Sequence, residues 1–188
     1  MDANGLKYIM AQYLRYDLAC PILALECPSR LASSYNDGGA ADLLAVNKKR
    51  QLIEVEVKIS LADLRADRKK AKHEYYRKLH ELPYKNKQRR FGQEVSFEPL
   101  EYPTNLFYFA VPWELANKAK LMCEDIYPYA GLLSNQENWY GAVTVNKSAK
   151  ELNPQKITLK QATILAKSQS ATLVRLLETI TNMESRAR

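Results

Sequence analysis

The sequence predicts an α/β fold, a mixed β-sheet core flanked by helices, formed by one domain over residues 1–188. Three observations carry this reading. Residues 51–59 alternate strictly, with Ile53, Val55, Val57 and Ile59 interleaved with Glu54, Glu56 and Lys58, the period of a β-strand. Several other segments repeat their apolar residues every three or four positions, as helices do. The order is helix, three strands, helix, strand, short helix, one or two strands, helix, and a helix between strands marks a crossover.

Each element has a local reason. Between Gly5 and Leu18 the apolar residues Leu6, Ile9, Met10, Tyr13 and Leu14 predict a helix, stopped by Pro21. The short apolar run Ile22–Glu26 reads as a strand. Ser33–Gly39 (SSYNDGG) is a turn cluster, because Asn, Asp and Gly tolerate tight or left-handed backbone. Ala41–Asn47 is the next strand, and a polar turn at Lys48–Arg50 returns the chain into the 51–59 strand. Ser60 is placed to cap a helix, with Asp63 complementing its dipole. That helix is expected to run unbroken to Leu82, with Leu61, Leu64, Ala71, Tyr75, Leu79 and Leu82 as its core stripe. Residues 83–104 lack periodicity, and a connection so long is a functional or mobile loop. Asn105–Val111 is a buried strand, Pro112 opens a short helix to Met122, and Gly131–Ser134 and Gly141–Val145 are further strands. The segment from about residue 156 to 184 is helical in pattern, with a break expected near Ser168–Ser170 and an apolar face of Leu173, Leu176, Leu177 and Ile180. The core is thus expected over about residues 20–145.

Composition narrows the function classes. Hydrophobic residues make up 46% and charged residues 26%, ordinary for a globular protein. No apolar run reaches the roughly 18 residues of a membrane-spanning helix. The N-terminus shows no secretory pattern, so a cytoplasmic location is expected. Cys20, Cys27 and Cys123 are odd in number and form no Cys-x-x-Cys, so buried reduced thiols are expected rather than a zinc site. The net charge of +7 is localised: residues 65–90 hold eleven Lys and Arg against three acids, a net of +8. Such a field suits a polyanion; a solvated lysine-rich helix face followed by a loop explains it equally well.

The chemistry concentrates on Asp42, Glu56 and Lys58. Asp42 interrupts the apolar run Ala40-Ala41…Leu43-Leu44, where a charge is costly unless it is paired or bound to metal. Glu56 and Lys58 share one strand face. Phosphodiester hydrolysis needs charge stabilisation on the phosphate and an activated water, which Mg²⁺ supplies when carboxylates hold it with open water positions. Asp42 and Glu56 could hold such an ion, with the Val57 carbonyl as an extra oxygen, and Lys58 could orient the attacking water. Taken alone, Glu-x-Glu-x-Lys is also what a half-exposed strand looks like.

Asp42, thirteen intervening residues and Glu56-Val57-Lys58 resemble the signature of the PD-(D/E)XK nuclease superfamily: an acid, a spacer, then acid-x-Lys. Ala41-Asp42-Leu43-Leu44, Val55-Glu56-Val57-Lys58 and Asp63-Leu64-Arg65-Ala66-Asp67-Arg68-Lys69 are similar to the MmcB-like DNA repair nucleases of that group. Phe107-Tyr108-Phe109-Ala110-Val111-Pro112 and Tyr129-Ala130-Gly131-Leu132-Leu133 resemble the group's later strands. Gly39-Ala40-Ala41 stands where related proteins can carry a basic pair. The resemblance covers roughly residues 20–145 and implies a restriction-endonuclease-like fold. It further implies a metal-dependent endonuclease hydrolysing DNA in repair, restriction or a mobile element, with Mg²⁺, for which Mn²⁺ can substitute. A homodimer is a partner state that nucleases of this type often adopt to cut two strands.

Secondary candidates complete the expectation. Glu26 is either a further metal-directed carboxylate or a surface acid. Glu54 and His73 are expected at the surface. Arg65 and Lys69 are expected nearest the nucleic acid, helped by Lys85, Lys87, Arg89 and Arg90 in a loop with Tyr84 and Phe91. Trp113 and Trp139 are read as core and rim. The alternative function is a catalytically inactive nucleic-acid-binding module of the same fold.

Overall fold

The computed structural model describes residues 1–31, 39–82, 102–136 and 142–186. Helix α1 (Ala3–Gln12) is capped by the Asp2 carboxylate, which accepts from the Gly5 amide, and passes into a π-turn over Tyr13–Asp17. Strands β1 (Ile22–Pro28), β2 (Ala40–Val46) and β3 (Leu52–Val57) follow. Helix α2 (Leu61–Ala66) begins where the Ser60 hydroxyl accepts from the Asp63 amide at 3.1 Å, the expected cap. A 3-10 turn (Asp67–Lys69) leads to α3 (Ala71–Glu81), then β4 (Leu106–Val111). A further 3-10 turn (Trp113–Leu115) precedes α4 (Ala116–Ile126), β5 (Gly131–Asn135), β6 (Val143–Lys147) and α5 (Leu159–Arg186).

The strands form one six-stranded sheet in the order β1-β2-β3-β4-β5-β6. β1 with β2, β2 with β3 and β5 with β6 run antiparallel, whereas β3–β4 and β4–β5 are parallel. Each parallel pair is joined through helices, α2 and α3 for the first and α4 for the second, as parallel neighbours require. The mixed α/β architecture expected from the sequence is therefore the observed one.

Both faces of the sheet are covered. Leu6, Ile9, Met10 and Leu14 of α1 and its turn pack on Leu43, Ala45, Ile53, Val55 and Val57. Opposite, Leu64, Tyr76 and Leu79 join Phe107, Phe109 and Leu132 beneath α3 and α4. A third cluster brings Leu165 of α5 and Ile157 onto Ala24, Leu44, Val46 and Leu52. The Asn105 side chain ties this last segment down, accepting from the Leu52 amide at 2.6 Å and donating to the Gln155 carbonyl at 2.8 Å.

The half-exposed alternative for the Glu-x-Glu-x-Lys strand does not hold: all six residues of β3 are buried, because α1 covers its apolar face and α2–α3 cover its charged one. Other expectations are corrected. The helix expected over 61–82 is broken at Lys70, whose ψ of 137° is extended. The break shifts the buried stripe of α3 to Lys72, His73, Tyr76 and Leu79, leaving Ala71 exposed. Helix α5 runs through Ser168–Ser170 without a break. Its expected apolar face, Leu173, Leu176, Leu177 and Ile180, is more than half exposed and belongs to none of the three core clusters. The three cysteines are buried and free. No described helix is long and apolar enough to cross a membrane.

Candidate active site

The hairpin β2–β3 opens into a fork at its end, and Asp42 sits in it. Regular pairing runs from Val46↔Leu52 to Leu43↔Val55. One step further, the Val57 amide donates to Asp42 Oδ2 at 2.7 Å, so a side-chain carboxylate stands in the sheet where a backbone acceptor is usual. The outer neighbour is disturbed at the same level. Glu26, between the pairs Leu25↔Leu43 and Cys27↔Ala41, has φ +48°, a left-handed conformation that is strained for a residue other than glycine. Lys7 reaches over from α1 and bridges the two acids, lying 2.8 Å from Asp42 Oδ1 and ion-paired with Glu26. The Asp42 side chain is 17% exposed and that of Glu26 56%. Glu26 is therefore a surface acid on the rim of the fork, sharing Lys7 with Asp42.

Behind the fork lies a buried ionic network. Glu56 Oε2 is 3.4 Å from Lys58 Nζ and 3.3 Å from Lys70 Nζ, while its Oε1 pairs with Lys72. Lys58 also donates to Asp67 Oδ1 at 2.7 Å, and Lys70 lies 2.6 Å from the same oxygen. Glu54, expected at the surface, is fully buried. It accepts from Lys72 at 2.8 Å, Ser29 at 3.0 Å, Thr104 at 2.7 Å and Tyr76 at 2.6 Å. Within this group three buried carboxylates (Glu54, Glu56 and Asp67) meet two buried ammonium groups (Lys58 and Lys72) and the half-open Lys70, which together balance the charge of the network.

His73 is also corrected from surface to core. Its Nε2 is 2.5 Å from Asp67 Oδ2 and its Nδ1 is 2.7 Å from the Tyr129 hydroxyl, with the rings of Phe107 and Phe109 around it. Burial holds the His73 pKa below the ordinary histidine value, although Asp67 pulls the other way. The ring is thus neutral near pH 7. With Asp67 ionised, Nε2 carries the proton and donates to the carboxylate, and Nδ1 accepts from Tyr129.

The other shifts follow the same contest. Burial pushes the Asp67 carboxyl up, but hydrogen bonds from His73, Lys58 and Lys70 outweigh it and hold the pKa well below the carboxylate range. Burial likewise raises Glu54, and the charge and hydrogen bond of Lys72 bring it below its ordinary value. Desolvation would lower Lys58, but Asp67 and Glu56 raise it, so it stays a fixed cation only 5% exposed. Chemically, the arrangement offers a partly open carboxylate on β2, a buried carboxylate on the neighbouring β3, and an ammonium that cannot easily lose its proton.

At the strand ends the structure sets the Asp42 carboxylate against the Val57 amide and Glu56 against Lys58; among the described residues no hydrogen bond or ion pair joins Asp42 to Glu56 or Lys58. Arg65 and Lys69 are exposed on the α2 and 3-10 segment and take no part in this network. Lys85, Lys87, Arg89 and Arg90 lie outside the described residues, as do Tyr84, Phe91, Trp139 and most of the Ser33–Gly39 turn. Lys7, Lys70, Lys72, Asp67 and His73 were not foreseen as parts of the site. One signal was available for α3: Lys72, Tyr76 and Leu79 are spaced by four and three, which puts a lysine on the helix's apolar stripe.

No family model and no curated protein matches the chain. Among solved structures it is similar to the SPO1766 protein of unknown function from Silicibacter pomeroyi. The two share 18% identity at a TM-score of 0.57, over 98% of this chain and 94% of that one, a likeness of fold.

Proposed function

We propose that the chain is a metal-dependent nuclease that hydrolyses phosphodiester bonds in DNA, as its resemblance to the PD-(D/E)XK group implies. The observation that carries this reading is the fork. Asp42 replaces a backbone acceptor between β2 and β3, level with a strained Glu26, and backbone strain held at one point of a sheet is a mark of functional sites.

The donor set fits Mg²⁺. Asp42 and Glu56 are hard oxygen donors on neighbouring strands, and Asp42 Oδ1 already faces a cation, the Lys7 ammonium. Among the described residues no three acids, histidines or cysteines surround one point. Two carboxylates with the Val57 carbonyl, completed by water and phosphate, is the partial protein shell Mg²⁺ commonly takes. When bound, the ion would polarise the scissile phosphate and acidify a water. Lys58 contributes a positive charge that Asp67 fixes in position and keeps protonated, suited to developing charge on phosphate oxygens. Its own pKa shift rules it out as the proton acceptor near neutral pH.

One observation favours the second reading, binding without turnover: both Glu56 oxygens are engaged by lysines and the residue is 2% exposed. The two readings separate on purified protein with plasmid and single-stranded DNA in Mg²⁺, Mn²⁺ or EDTA, beside Asp42→Asn and Lys58→Ala. Metal-dependent cutting by the wild type, lost in both variants, supports the nuclease. Equal cutting by all three, or no cutting with any metal, ends it.

A further inference from the structure

Beside the buried network lies a cleft of about 430 Å³ between the 3-10 turn after α2 and the outer face of α3. Its cationic lining is Arg68, Lys69, Lys70, Arg77 and Lys78, opposed by Glu74 and Glu81. Glu74, Arg77, Lys78 and Glu81 follow helical spacing, so they form one stripe along α3, with Lys70 at its N-cap. Lys70 at the N-cap and Arg77 in α3 are seven positions apart, about 10 Å along a helix at 1.5 Å per residue. Glu74, paired with Lys78 at 2.7 Å, and Glu81 interrupt the stripe, but its cations span a length that exceeds a single phosphate group and suits several in succession. Arginine adds paired donors matching two phosphate oxygens.

Lys70 joins this cleft to the reaction centre. The same ammonium that lines it lies 3.3 Å from Glu56 and 2.6 Å from Asp67. Lys70 is also the most exposed lysine of the network, its side chain 44% open against 6% for Lys58 and 2% for Lys72. A phosphate held by Arg68, Lys69 and Lys70 therefore stands next to the Glu56 end of the fork.

We propose that this cleft is the phosphate track for the DNA strand to be cut, with Arg68, Arg77 and Lys78 gripping the backbone and Lys70 leading it to Glu56. The proposal rests on the nuclease reading and supplies the substrate surface for it. It moves the main grip away from Arg65, which does not line the cleft, to residues the sequence did not single out.

The test measures affinity for a short labelled DNA duplex in EDTA, across a salt series, so that cutting plays no part. The Arg68→Ala/Arg77→Ala/Lys78→Ala variant should bind about tenfold more weakly. Its slope of log affinity against log salt should be shallower by about 2 to 3, since each lost phosphate contact removes about 0.9. Glu74→Gln/Glu81→Gln should bind more tightly, which keeps the test decisive if the triple variant folds poorly; both positions are exposed. Unchanged affinity and slope in both cleft variants would overturn the track even if the wild type cuts DNA. Cleft-dependent binding without metal-dependent cutting would leave the track standing and end the nuclease reading. Displacement of the duplex by polyglutamate as readily as by unlabelled DNA would overturn the track in favour of an acidic protein partner.

Discussion

Replacing Lys72 by Met tests the energetics of the buried network most directly. Lys72 is 2% exposed and is the only ammonium paired to both glutamates of β3 among the described residues. Methionine fills much of the same volume but carries no charge. Glu54 would keep its bonds from Ser29, Thr104 and Tyr76, and Glu56 would keep Lys58 and Lys70 at 3.4 and 3.3 Å. Among the described residues no cation would remain bonded to Glu54. Removing one partner of a buried pair costs about 3–5 kcal/mol, because the other charge stays desolvated. Domains of ordinary stability have about 5–15 kcal/mol in total, so the variant should retain its fold but unfold far more readily. With a urea slope of roughly 2 kcal/mol/M, the midpoint followed by circular dichroism should fall by about 2 M. Adding Glu54→Gln to Lys72→Met should recover part of the loss, since the stranded charge is then gone. A loss below about 1 kcal/mol, the size of an exposed ion pair, would refute the claim that this network is desolvated.

Three further outcomes follow from the same structure. Gly131→Ala should be strongly destabilising: an added Cβ would lie 2.3 Å from the Tyr108 ring and 2.7 Å from the Ala149 backbone nitrogen. Overpacking of that kind costs typically 1–3 kcal/mol, read as a lower thermal midpoint, and an unchanged midpoint would show that β4 and β5 do not pack so closely. His73 gives a pH signature. Its folded pKa is depressed below 6.5, so below about pH 6.5 only the unfolded chain gains the proton, and stability is present above that value and lost as pH falls. Denaturation midpoints measured from pH 7.5 down to 5 should decline, and His73→Gln should flatten the slope; a parallel decline in the variant would assign it to other groups. Tyr76→Phe removes a hydroxyl bonded to Glu54 at 2.6 Å and to Thr104 at 2.9 Å, and should cost about 1–3 kcal/mol by chemical denaturation, whereas a neutral result would mean Glu54 is satisfied without it.

What the sequence could convey depended on how local the determining interaction was. The alternation of β3, the Ser60 cap and the apolar run of β4 are set by neighbouring residues, and all three appear at the expected positions. Asp42 stood out for the same reason, as a charge within an apolar strand. The burial of Glu54, Glu56 and His73 is not local. Glu54 was read as a surface acid on the polar face of its strand and His73 as a surface residue because Lys72 and Glu74 flank it, whereas the compensation for all three comes from elsewhere in the chain: Lys72 for the glutamates, Asp67 and Tyr129 for the histidine. The extended Lys70 was equally hidden, since the sequence around it contains neither glycine nor proline. That single residue turns α3 so that Lys72 points inward rather than Ala71. The exposed apolar stripe of α5 shows the converse limit, for periodicity reports that a face is apolar and not whether the same chain covers it.

The break at Lys70 has a consequence in time. The sheet order equals the chain order, so during synthesis each strand can pair with the one made just before it. The lysine that neutralises β3 comes 18 residues after Glu54 and 16 after Glu56. At about 5–20 residues per second, roughly 1–4 seconds separate the emergence of these acids from that of their partner. Until α3 folds back, β3 carries two ionised carboxylates with only Lys58 on the same face to screen them, and these keep the nascent hairpin hydrated and repel it from other copies of itself. Closing α3 then exchanges that hydration for Lys72 in one step, so the charges that guard the unfinished sheet are the ones that anchor the finished one. Chains arrested before and after residue 72 should differ sharply in protease protection of β2–β3, and equal protection would place the closure elsewhere.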